Sequence, residues 1–109
     1  MRLRPHLLFA SLAVSVLQVG GASAAQDAKL VQQGQLLAQS MCADCHTFGG
    51  NTRSDRPAPD FSSVGAMPST TALSLRVFLK SSHTNMPNLI LEEAQIEALS
   101  AFILSLGGK

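Results

Sequence analysis

One stretch constrains this chain more than any other: Met41-Cys42-Ala43-Asp44-Cys45-His46, which contains both cysteines of the 109-residue sequence. Two residues separate the thiols, and a histidine follows the second directly. Three chemistries use such a spacing. A thioredoxin-like dithiol sits at a helix start beside a βαβ pattern. A structural zinc site takes four ligands. Covalent haem attachment uses Cys-x-x-Cys-His. A plain disulfide between thiols this close would form a tight ring of little stabilising value.

The start of the chain bears on the choice. Arg2 and Arg4 precede an apolar run, Leu7–Val19, and then the small-residue stretch Gly20–Ala25. That order is the pattern of a secretory signal peptide cleaved after Ala24 or Ala25. The apolar run is shorter than the roughly 20 residues a membrane span needs, and it already contains Gln18. Residues 1–25 are therefore expected to be a leader and residues 26–109 the mature domain, with no stable membrane insertion after cleavage. Without Arg2 and Arg4, the remaining Lys and Arg are one fewer than the seven Asp and Glu. A near-neutral domain lacks the basic face that nucleic acid requires.

A domain of this size buries little surface and often needs a staple. There is no Trp and no Tyr, and the mature aromatics are Phe48, Phe61, Phe78 and Phe102. Something other than large side chains is expected to fill the middle. Helical spacing appears over Asp27–Met41, with Leu30, Gly34, Leu37 and Met41 on one face and Asp27 as N-cap. Gly34 costs about 1 kcal/mol in a helix interior, which makes sense if another helix crosses there. Thr47–Pro68, broken by glycines and prolines, reads as loop. Ser69–Lys80 reads as a second helix capped by Ser69 or Thr70. Glu92–Leu106 reads as a third, with Leu91 a poor cap. No strand pattern, internal repeat or phosphate-binding loop is present, so the fold class is all-α.

This pattern decides the motif. The dithiol reading lacks strands, and the cysteines come at the end of a helix. The zinc reading lacks ligands, since only His83 could join Cys42, Cys45 and His46. Haem attachment explains each position. The thiols of Cys42 and Cys45 add to the two vinyl groups of the macrocycle, and His46 projects its imidazole to the iron. Such attachment is made outside the cytoplasm, in agreement with the leader. Candidates for a sixth ligand are Met67, Met86 and His83, because both Met and His bind haem iron. Met41 lies beside the attachment site, on the same side as His46.

With "CADCH", "APDF" (58–61), "NMPN" (85–88), "SAFILSL" (100–106) and Gly34, the mature chain resembles class I c-type cytochromes over nearly its whole length. The resemblance implies a cytochrome c fold, three to four helices wrapped around one covalently attached haem. It implies Cys42 and Cys45 as thioether positions and His46 as proximal ligand. A proline carbonyl, here that of Pro59, would hold the other imidazole nitrogen. Met86 would be the sixth ligand, because it lies between the last two helices. Phe48, Phe61, Phe78 and Leu89 would line the haem pocket, and the first and last helices would cross near Gly34 with Leu99 and Phe102. Arg53, Arg56, Arg76 and Lys80 are candidates to pair with haem propionates or a partner.

The implied role is transfer of single electrons between periplasmic redox proteins, without catalysis of its own. The alternative is a haem subunit in complex with a larger periplasmic dehydrogenase. Residues 72–88 are similar to the cytochrome subunit of bacterial sulfite dehydrogenases. A haem enzyme or gas sensor would need an open sixth position.

Overall fold

A computed structural model of the protein describes residues 21–50, 58–81, 83 and 85–109. Residues 1–20 of the expected leader lie outside the described residues, as do Arg53 and Arg56. Four helices follow in order: α1 (Gly21–Met41), α2 (Phe61–Ala66), α3 (Ala72–Lys80) and α4 (Glu93–Leu106), and the described residues contain no strand.

The first helix starts earlier than expected. Alanine is the best helix former, and Ala22, Ala24 and Ala25 carry α1 upstream. Asp27 therefore lies inside the helix and does not cap it. The buried face is Gly34 and Ala38, flanked by half-buried Val31, Leu37 and Met41. Gly34 stands where α4 crosses. A Cβ there would lie 1.9 Å from the carbonyl oxygen of Ala98 and 2.8 Å from the Cβ of Phe102. Ala38, where a larger side chain would separate the helices, is fully buried.

The segment expected to be loop over Thr47–Pro68 contains α2. Pro59 and Gly65 are what hid it, and neither breaks the helix. Pro59 lies before the cap, Asp60, which is extended (φ −67°, ψ 137°) and accepts from the Ser62 N–H. Gly65 faces α4, where a Cβ would meet the Ile103 carbonyl oxygen at 2.1 Å. Gly107, which ends α4, packs against Gly65 with no more room than that.

The cap of α3 is Thr71, one residue after Thr70 and two after Ser69. Thr71 Oγ1 accepts from the Ser74 N–H (3.1 Å), and Ser74 Oγ accepts from the Thr71 N–H (2.8 Å). This is a capping box with serine at the position usually held by Glu or Gln. Helix α4 begins with Glu92 as its cap, and its start is fixed after all. The Glu92 N–H donates to Gln95 Oε1 at 2.8 Å. At its other end Gly108 turns into positive φ (76°) and the Lys109 N–H closes on Leu104 O at 3.1 Å. Lys109 then reaches back, its Nζ donating to the carbonyls of Met67 (2.6 Å) and Thr70 (2.9 Å).

The core holds Ala38, Cys42, Phe61, Leu75, Leu99, Phe102 and Ile103. Helix α4 supplies its largest share. It packs on α1 most extensively and also on α2 and α3, while the backbones of those three keep more than 8 Å between them among the described residues.

Candidate functional site

The Cys-x-x-Cys-His stretch forms one tight turn where α1 ends. The Cys42 N–H continues the helical ladder to Ala38 O (2.9 Å). The Cys45 and His46 N–H groups then both close on Cys42 O, at 3.1 and 2.9 Å. Both thiols are free. Cys42 is buried in the core, and burial pushes its thiol pKa up. No group of three His, Cys, Asp or Glu among the described residues is placed to hold a metal ion.

His46 is held from two sides. Its Nδ1 lies 2.8 Å from the carbonyl oxygen of Pro59. A carbonyl only accepts, so Nδ1 carries the hydrogen and Nε2 keeps its lone pair. The ring leans on Phe61, with centroids 4.5 Å apart. Phe61 touches Phe48 at 5.2 Å, and Phe48 meets Phe102 edge-on at 5.7 Å. A run of rings therefore connects the imidazole to the helix crossing at Gly34.

The segment that presents the Pro59 carbonyl is itself pinned. The Phe61 N–H donates to Thr47 O at 2.9 Å. Asp60, 3% exposed, accepts at Oδ1 from the Ser62 N–H (2.8 Å), the Ser62 hydroxyl and the Gly50 N–H (3.1 Å). Its Oδ2 is buried without a hydrogen-bond partner. Burial alone would raise the pKa of this carboxyl, but the Ser62 and Thr47 side chains and the Gly50 and Ser62 amides outweigh it and hold it at about 2. Sequence reading missed Asp60. The signal was there, an Asp directly before an apolar residue and two serines, but the three prolines and three glycines of residues 47–68 read as loop.

A depressed carboxylate stabilises the fold above its unfolded pKa of about 3.9 and loses that contribution as pH falls through its folded value. The shift to about 2 corresponds to about 2 kcal/mol. Urea unfolding at stepped pH should therefore show stability falling between about pH 4 and pH 2. Asp60→Asn should remove that fall, and an unchanged pH slope in this variant would refute the assignment.

Between α3 and α4 the described residues form neither helix nor strand. Asn85 takes positive φ (65°), which asparagine tolerates better than most residues, and the Met86 N–H closes the turn on His83 O at 3.2 Å. Met86 is half-buried. His83 Nδ1 donates to Ser81 O (3.0 Å), and its ring stacks on Phe78 at 4.0 Å. Phe78 is 54% exposed, and Leu89 half-buried. Met67 lies at the far end of α2 from Phe61, 47% exposed, with its carbonyl taken by Thr70 and Lys109. Arg76 and Lys80 both pair with Glu93 on α4. The Lys80 hydrogen bond chiefly, with Arg76 adding to it, lowers the Glu93 pKa. The two cations are thus engaged on the α3–α4 face.

No helix among the described residues is long and apolar enough to cross a membrane. No curated protein and no solved structure matches the chain. The Cytochrome c family model does, over residues 31–107. That span opens inside α1, just before the glycine of the first crossing, and closes on the glycine that ends α4, taking in α2, α3 and α4 whole. The chain therefore belongs to the cytochrome c family, whose members are electron-transfer haem proteins.

Proposed function

We propose that the protein is a periplasmic carrier of single electrons, with one haem c attached through Cys42 and Cys45 and ligated by His46 and Met86. The observation that carries this reading is the state of His46. Its Nδ1–H is held by the Pro59 carbonyl, which leaves Nε2 as a donor and fixes the ring. The rest of the donor set fits the same group. Both thiols are free for thioether bonds, and Phe61 offers an apolar surface beside the imidazole.

When bound, haem supplies a centre that changes oxidation state by one electron. The chain's part is to hold that centre still. His46 is oriented by hydrogen bond and ring contact, and the thioethers at Cys42 and Cys45 prevent loss of the group. A thioether from Met86 would fill the remaining position and favour the reduced state relative to a second imidazole. Met86 is favoured over Met67, which sits at the far end of α2 from Phe61 and is 47% exposed. Over His83, whose Nε2 stays open just as that of His46 does, Met86 is preferred for its place directly before the last helix. The leader pattern supports export to the periplasm.

A second reading, a haem subunit of a larger oxidoreductase such as a sulfite dehydrogenase, draws on α3. Leu73 and Val77 are 70% and 58% exposed, one turn apart. Adjacent exposed apolar side chains mark interaction surfaces.

The test is the visible spectrum of the exported protein from a host that attaches haem c. Expected are a covalent haem spectrum, a weak far-red thioether-to-ferric band and no shift with carbon monoxide. A carbon monoxide shift in the wild type would overturn Met86 ligation and favour an enzyme or sensor. Co-purification with a large catalytic chain from the native source would favour the subunit reading.

A further inference from the structure

We propose that Asp60 is a positioning residue for the His46 imidazole, acting by tying the start of α2 to the loop behind the ring so that the Pro59 carbonyl stays against Nδ1. The proposal rests on His46 being an axial ligand.

A helix cap needs only the local donor, Ser62. Asp60 reaches further. The same Oδ1 also accepts from Gly50, ten residues back and four beyond His46. That approach is built on purpose into the backbone. Gly49 and Gly50 both take positive φ (91° and 85°), a conformation that L side chains rarely adopt. The Phe61 N–H bond to Thr47 O closes the other side. Residues 46–50 and 59–61 are thus joined at three places, and the His46–Pro59 bond lies among them. The carboxylate is buried, and a buried acceptor binds its donors more strongly than an exposed one.

The chemistry follows from the bond being held. A carbonyl fixed on Nδ1–H raises the donor strength of Nε2. Stronger donation favours the oxidised centre and lowers the reduction potential. Loosening the tether is expected to raise it.

The experiment uses the haem-loaded protein with Asp60→Ser and Asp60→Asn. Serine can still cap Ser62, but its side chain is one atom too short to hold Gly50 as well. Asparagine keeps an acceptor at both places. For Asp60→Ser we expect the reduction equilibrium to shift upward about tenfold, which for one electron is about 59 mV. The His46 Nδ1 proton, followed by NMR in the reduced protein, should exchange about tenfold faster. Asp60→Asn should exchange as the wild type does and shift the potential less than Asp60→Ser. Wild-type potential and exchange in Asp60→Ser would overturn the proposal. So would Asp60→Asn shifting as far as Asp60→Ser, because the buried charge and not the tether would then be responsible.

If Asp60→Ser does not fold, the wild type decides. The Gly50 amide and the His46 Nδ1 proton should then open with the same free energy, and clearly different values would refute the tether. Absence of covalent haem in the wild type, or unchanged ligation bands in His46→Ala, would strike the axial-ligand reading itself. Silent Asp60 variants beside a normal wild type would strike the tether alone.

Discussion

Gly34→Ala should lower the denaturant midpoint of the haem-loaded protein by the equivalent of about 3 kcal/mol or more, beyond the usual 1–3 kcal/mol of overpacking. Two effects oppose each other. Alanine gains about 1 kcal/mol over glycine in a helix interior. Against this, its Cβ would stand 1.9 Å from the Ala98 carbonyl oxygen and 2.6 Å from the carbonyl carbon. The obstacle is backbone, so no rotamer change relieves it. Helices α1 and α4 would have to move apart and open the contacts of Leu99 and Phe102. A fold this small has on the order of 5–10 kcal/mol in total, so the loss is a large part of it. Gly65→Ala, against Ile103 O at 2.1 Å, should behave alike at the other end of α4. A Gly34→Ala midpoint at or above that of the wild type would show that the crossing is not as tight as its geometry.

Met86→Ala should leave the fold and the covalent haem in place and change the ligation completely. The far-red thioether-to-ferric band should vanish, and carbon monoxide should bind the reduced protein. Met86→His should keep the sixth position filled and lower the potential by the order of 0.1 V, within the span of about 0.8 V that axial ligands command. Parallel Met67→Ala and His83→Ala variants serve as controls and should keep the band. If the band survives in Met86→Ala and disappears in Met67→Ala, the sixth ligand lies on the α2–α3 turn and the assignment is wrong.

How much was legible follows from how local each signal is. The cysteine–histidine spacing is a short-range pattern, and it was read as haem attachment without foreseeing the turn around Cys42 O. Gly34 was legible because a glycine inside a strong helical period needs a reason, and a crossing helix is the commonest one. The start of α1 was misjudged because Asp27 resembles a cap, whereas the alanines before it are better helix formers than Asp27 is a stop signal. Helix α2 was hidden because its glycine serves packing against α4, which is tertiary information. For the same reason Asp60 went unnoticed: its importance lies in Gly50, ten residues away and across a turn that no periodicity reveals. The half-exposed Phe78, stacked on His83, likewise could not be read from the spacing of α3 alone.

The arrangement of the helices has a consequence for how the molecule is made. Since α4 is the element on which each of the other three packs, it acts as a hub, and the backbones of the earlier helices have no close approach to one another without it among the described residues. A chain ending before Glu93 would not be a protein with one helix fewer. It would lack the helix on which the other three pack, and α2 and α3, of six and nine residues, are too short to persist in water unaided. Unfolding should accordingly be all-or-none, and a ribosome-bound or truncated chain lacking α4 should be open to protease along its whole length.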